Sequence, residues 1–319
     1  MNLTFKIQIM KMFKKNLILK AIVLFGLLIT SCSNDDNSSS ETAEAKFYIT
    51  DAPTDNSNVS AVVVTIADLR VNNVSVENFT RTTIDLMQYQ NGVKKLLGDL
   101  KLQTGTHSNI ELVLDYQFDA SGNAPGCYVE LTNGAKDALN STVSNISIND
   151  TFNVIPFANN NIILDFDIRK AIVSSGGDFE LVTTTELQNS VRVVNEGLTG
   201  KVSGIMTDAQ NTSDMIIAYA YKAGTFNAEV ETQGQGSSNV MFSNAVTSSV
   251  VSNTTAQYEL NFLPEGEYEL HFASYSDNNG EFEFSGRLEV ESNSEISFNN
   301  VQVTSNSSII VSGAVTGTF

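Results

Sequence analysis

Glu267-Tyr268-Glu269-Leu270-His271-Phe272 alternates polar with large apolar side chains at every second position. Successive side chains of an extended chain point to opposite faces, so a period of two predicts a half-buried antiparallel strand. The same reading applies to Val62, Val64 and Ile66, which alternate with Val63 and Thr65. It applies again to Ile162, Leu164, Phe166 and Ile168, which alternate with Asp165 and Asp167. Turn signals separate such runs at Asn91-Gly92, Asn133-Gly134, Gly176-Gly177-Asp178 and Asn278-Asn279-Gly280. Helix signals are scarce, and the best are a turn or two around Lys94 to Leu100 and a second short candidate around Ala135 to Leu139. The expected class is therefore all-β, two antiparallel β-sandwich domains in tandem.

The N-terminus has a different logic. Lys11, Lys14, Lys15 and Lys20 precede an apolar run from Ala21 to Ile29, and Leu28-Ile29-Thr30-Ser31-Cys32 closes it with small residues before a cysteine. A basic stretch followed by a short apolar stretch is the pattern of an export signal, and the run is too short to span a bilayer as a helix. Met10 and Met12 precede the lysines, and a start at either would give a signal of more ordinary length. The segment resembles the signal of a bacterial lipoprotein, which implies residues 1–31 as a signal peptide and lipidation of Cys32. Several acyl chains, palmitate among them, would then hold the protein on a membrane stably. Residues 32–44 form the expected disordered spacer, being rich in Ser, Asn and Asp with no apolar residue before Ala43. Asp35-Asp36 resembles a surface-export signal of some Gram-negative lipoproteins, so the expected address is the outer membrane, facing periplasm or cell surface.

The chain of 319 residues carries 18 basic and 36 acidic side chains, a formal charge of -18. Residues 1–31 hold five lysines and no acid, which leaves 13 against 36, or -23, from Cys32 onward. Such a surface repels polyanions and excludes nucleic acid as a natural partner. The expected partners are the membrane through the lipid anchor, and a glycan or envelope protein. With Cys32 lipidated, Cys127 has no intrachain disulfide partner and reads as a packed small residue.

A boundary falls near Asn195 to Gly200, giving domains at 45–195 and 196–319 with few contacts expected across the linker. Leu102-Gln103-Thr104-Gly105-Thr106-His107 and Leu263-Pro264-Glu265-Gly266-Glu267-Tyr268 share one spacing, in which a glycine at positive φ introduces a ring at the start of a strand. The second stretch, with Gly200-Lys201-Val202-Ser203-Gly204, resembles the carboxypeptidase regulatory-like domains of the transthyretin-like group. That resemblance covers roughly 197–319, with a longer and more polar segment from Ala223 to Ser252. Ile49-Thr50-Asp51-Ala52-Pro53, the strand from Val62, Ile84-Asp85-Leu86, the Gly105 turn and Leu164-Asp165-Phe166-Asp167 resemble an uncharacterised family of bacterial lipoproteins, classified only as a domain of unknown function. His107 stands where that family suggests tyrosine, and Glu111 where it suggests a basic residue.

Catalytic motifs are missing from the sequence: there is no G-x-S-x-G, no H-E-x-x-H and no paired C-x-x-C. Asp51 and Asp55 flank Pro53 in an acidic loop and are the candidate ligands for a calcium ion, which prefers hard oxygen donors. Tyr219 and Tyr221 share one strand face, and His271 and Tyr275 another, which makes these four the candidate ligand patch. No other cofactor is expected. The sequence reading is a non-enzymatic, lipid-anchored binding or scaffold module. The alternatives are a carbohydrate-binding accessory lipoprotein and a hydrolase with an unrecognised carboxylate site.

Overall fold

A computed structural model describes residues 41–51, 58–139, 145–175, 178–279 and 281–319. Cys32, its flanking signal and spacer, and Asp55 lie outside the described residues. Glu41–Phe319 form one compact unit, built from two successive β-rich regions.

The first region is a sandwich. One sheet runs in the order Val191–Asn195, Asn160–Phe166, Thr42–Asp51, Lys95–Gln103. The facing sheet is organised around the long strand Val59–Val71, with Ile110–Leu114 and Asn145–Ile148 on one side and Tyr128–Leu131 and Lys136–Ala138 on the other. Phe47, Ile49, Ile162 and Leu164 from the first sheet meet Val62, Val64, Ile66 and Leu69 from the second in one core. The alternation in sequence is what makes each strand bury one face here. Among the described pairings of this region, Thr42–Asp51 runs parallel to Asn160–Phe166, with Ala45 opposite Asn160 and Asp51 opposite Phe166. The two strands therefore start at the same end of the sandwich and finish at the other.

Both segments read as helical turns are strands. Lys95–Gln103 pairs with Thr42–Asp51, and Lys136–Ala138 pairs with Tyr128–Leu131 around the Asn133-Gly134 turn. The α-helices among the described residues are single turns, Ile168–Ala171, Thr184–Gln188 and Ala228–Glu231. Among the described residues, no helix is long and apolar enough to cross a membrane.

The second region begins at Thr199. Its sheet runs in the order Thr247–Val250, Met215–Lys222, Gly266–Asn278, Glu281–Ser292, Gly313–Thr318, Thr199–Thr207, Gln257–Pro264. The two shared turns use their glycines alike: Gly105 has φ +120° and Gly266 φ +145°, where a Cβ would be strained. Tyr268 is then fully buried, while His107 stacks on Phe152 with ring centroids 5.4 Å apart.

Contrary to the expectation of a sparsely crossed linker, the two regions touch along a broad seam. Phe262 packs against Ile163 and Val194, with Tyr48 at the edge of the cluster. Lys94 pairs with Glu196 and lies over the rings of Tyr48 and Phe262. Arg192 Nη1 donates to the Phe262 carbonyl at 2.7 Å.

Candidate functional site

Ionisable and aromatic side chains gather on this seam, where the strands carrying Asp51 and Asp165 end side by side. Asp165 pairs with Arg192. Asp167 caps the helix that follows by accepting from Arg169 N. Its carboxylate also takes Arg169 Nε at 3.1 Å and Nη2 at 2.9 Å, with Lys170 Nζ at 3.5 Å. Burial alone would raise the Asp167 pKa, but the cations of Arg169 and Lys170 outweigh it and hold the group down at about 2.

Asp51, the neighbouring acid, has the opposite fate. It is 5% exposed, accepts from Ile168 N and Gln90 Nε2 at 3.3 Å each, and forms no ion pair among the described residues. Burial first, and then the negative charge of Asp167, raise its pKa well above the ordinary value against those two hydrogen bonds. Of the two acids expected to hold calcium, Asp51 thus takes one donor on each oxygen inside the protein, and Asp55 lies outside the described residues. Among the described residues, no group of three or more His, Cys, Asp or Glu side chains is arranged to hold a metal ion.

Arg169 continues the seam into the second region. Its guanidinium lies 5.5 Å from the centroid of the Tyr219 ring, and Nη1 is 3.5 Å from the phenol oxygen. The Tyr219 and Tyr275 hydroxyls are 2.6 Å apart. Tyr221 donates to Glu231 at 2.6 Å, and Asn244 also donates to that carboxylate. Tyr219, Tyr221, His271 and Tyr275 are therefore brought together as the sequence suggested, but not as an exposed patch. Tyr219 and Tyr221 are fully buried and Tyr275 is 3% exposed.

The polar segment after Ala223 is the physical reason. It folds back over the strand Met215–Lys222, whose side chains are consequently buried on both faces. Phe242 stacks on Tyr219 at 4.2 Å, and Phe226 stacks on His271 at 3.7 Å. His271 Nε2 faces Glu269 Oε2 at 3.3 Å without the alignment of a hydrogen bond. Burial holds the His271 pKa below its usual value despite Glu269. The same segment reaches the first region at Ser237, whose N and Oγ donate to Glu186 at 2.6 and 2.7 Å. With the Thr183 hydroxyl, these donors lower the Glu186 pKa to about 2.

Cys127 and His107 are also engaged. Cys127 is buried, accepts from Thr65 N at 3.4 Å, and burial pushes its thiol up to about 11. His107 contacts the Gln103 carbonyl at 2.7 Å through Nε2 and Asn72 Nδ2 at 3.2 Å through Nδ1. Concavities open on the seam and on the second region beside it. A cleft of about 250 Å³ is lined by Asp150, Asp165, Asp167, Lys170 and Arg192. A groove of about 480 Å³ presents Ser203, Ser249, Gln257 and Ser312 beside Ile205 and Ile310. Sequence reasoning missed Arg169, Arg192 and Glu231. The D-F-D-I-R-K order of 165–170 held a visible signal, alternating acids followed by two cations.

Residues 42–182 match the family model described as Domain of unknown function (DUF4382). No curated protein matches the chain. Among solved structures, a leucine-rich repeat protein from Bacteroides thetaiotaomicron is 13% identical over 86% of this chain and 26% of that one, with a TM-score of 0.21. The Bacillus anthracis TIE protein is 12% identical over 86% and 34%, with a TM-score of 0.17. BcpA, the major pilin subunit of Bacillus cereus, is 9% identical over 86% and 70%, with a TM-score of 0.19. The chain thus spans about a quarter and a third of the first two structures' length.

Proposed function

We propose that this is a lipid-anchored cell-envelope protein, held through Cys32 at the outer membrane, whose two β regions act together as a non-enzymatic binding or scaffold body. The Leu28–Cys32 sequence supports the anchor, and the state of the reactive side chains supports a non-enzymatic body. A nucleophile or general base needs an accessible group poised near neutral pH. Cys127 is buried with a raised pKa, His107 has a partner at each ring nitrogen, and His271 is stacked under Phe226. Asp165 and Asp167 are matched to arginines that hold the seam together. Residues 197–319, similar to carboxypeptidase regulatory-like domains, would serve as an accessory module of the same body.

The anchor is tested by growing cells with an alkyne analogue of palmitate and isolating the chain: label on the N-terminal peptide supports the reading, and an unlabelled, unmodified Cys32 sinks it. A hydroxyl- and amide-rich groove flanked by Ile205 and Ile310 favours a second reading, carbohydrate binding. Saturable binding on a glycan array that is lost in Gln257→Ala would support it, and a blank array would leave it without basis.

A further inference from the structure

Phe157 is 97% exposed, the most exposed of the large apolar side chains described. It sits at the tip of the turn between Phe152–Val154 and Asn160–Phe166 with φ +56°. Pro156 precedes it, and the position after proline in a turn with positive φ normally belongs to Gly or Asn. A bulky side chain in that conformation, fully in water, is an outlier twice over, and such outliers concentrate where a surface binds something.

The turn is fixed from beneath. Asn160 is 2% exposed, its Oδ1 accepts from Ile155 N at 2.7 Å, and its Nδ2 reaches the carbonyls of Ile155 and Ala158 at 3.0 and 3.2 Å. Asn195 Nδ2 braces the same oxygen at 2.9 Å. Pro156, Phe157 and Ala158 are all exposed, and no charged residue occurs between Asp150 and Asp165. In a chain this acidic, an uncharged apolar tip is a local exception.

Its position suggests the partner. Asn160 lies opposite Ala45 in parallel register, and its Nδ2 is 3.4 Å from the Glu44 carbonyl. The tip therefore stands at the end of the sandwich where the first strand enters, and Thr42 is only ten residues from Cys32. Even fully extended, that length reaches only about 35 Å. A surface held that close by a tether meets the tip at high effective concentration, so one ring and its neighbours suffice for a second contact. Self-association has no such tether to offset the repulsion between two copies each carrying -23.

We infer that Pro156-Phe157-Ala158 is a lipid-insertion tip, which enters the interfacial layer of the membrane and sets how the anchored body stands on it. This rests on the lipid-anchor reading of Cys32. The chain has no tryptophan, so Phe157→Trp provides a unique reporter. Phe118→Trp serves as the control, since Phe118 is 46% exposed and lies beyond Leu114, the end of its strand away from His107.

Each variant, taken from Cys32 onward, is coupled through Cys32 to maleimide lipid in vesicles of phosphatidylethanolamine with a minority of phosphatidylglycerol; buried Cys127 does not compete. The indole fluorescence of the Phe157→Trp variant should shift to shorter wavelength and be quenched by brominated acyl chains several-fold more than that of the Phe118→Trp control. Equal quenching in the two variants overturns the inference. So does a shift of the Phe157→Trp emission in concentrated lipid-free protein, which would mean self-association. Phe157→Ser should leave the fold and coupling intact but loosen the body from the surface, read as faster rotation of a spin label on the second region; unchanged rotation also counts against the tip. Because coupling here is chemical, the outcome is independent of cellular acylation. The mass of the native Cys32 peptide decides the anchor reading separately.

Discussion

The guanidinium of Arg169 in the first β region lies over the ring of Tyr219 in the second, 5.5 Å from its centroid, while its other edge grips Asp167. One buried cation thus neutralises the acid just past the end of one strand and rests on an aromatic ring of the other region. Removing it should leave Asp167 with Lys170 alone. Arg169→Ala should cost about 3–5 kcal/mol in chemical denaturation, the usual penalty for breaking a buried pair from one side. Tyr219→Phe keeps the ring and removes one hydroxyl, at about 1 kcal/mol. Equal effects of the two would mean that the charge is not the essential element.

Asp51 and Asp167 should give opposite pH signatures. The folded-state pKa of Asp167 is lowered to about 2, so its contribution is present above the unfolded value of about 3.9 and is lost as pH falls toward 2. Asp51 is raised, so its contribution is present below about 3.9 and is lost as pH rises through the folded value. Asp167→Asn should therefore destabilise at neutral pH and converge with the parent in acid. Asp51→Asn should stabilise at neutral pH and lose that advantage in acid. Unfolding midpoints across the pH range decide between these signs, and parallel curves for both variants would refute the assignment.

Phe262 ties the two regions through Ile163 and Val194, and Arg192 holds its carbonyl. The chain from Glu41 onward should unfold calorimetrically as one transition. Phe262→Ala, at a cost of about 3 kcal/mol for a buried ring, should split that transition in two. Two transitions in the parent would show that the seam adds little cooperativity.

Cys127 should resist maleimide in the native state at mildly alkaline pH, because its thiol is buried and raised to about 11. Its labelling rate should rise with denaturant in step with unfolding. Rapid labelling of folded protein would contradict its placement.

Much of this fold was legible in the strand alternation and in the Gly105 and Gly266 turns, because both are local consequences of side-chain period and backbone sterics. Lys94 to Leu100 misled for an identifiable reason. Leu97 and Leu100 are three apart, a helical spacing, yet both are buried in a strand. The register shifts between Phe47 and Tyr48, where Gly98 and Leu96 are their partners and Leu97 is the extra residue. Such a bulge resets which side chains face inward, and in sequence it imitates a helix. The parallel pairing of the first strand and the burial of Tyr219 and Tyr221 depend on segments far away in sequence. No period within Met215–Lys222 announces that Phe226 and Phe242 will cover it.

The central claim, that the body works from a lipid anchor, is tested most directly by fractionating cells that express the parent chain and Cys32→Ala, with a high-salt wash of the membranes. The parent should remain in the membrane fraction, and the variant should be exported and soluble, since on the proposed reading acyl chains would supply the sustained membrane affinity and the tip alone would not. Retention of Cys32→Ala on washed membranes would contradict the account.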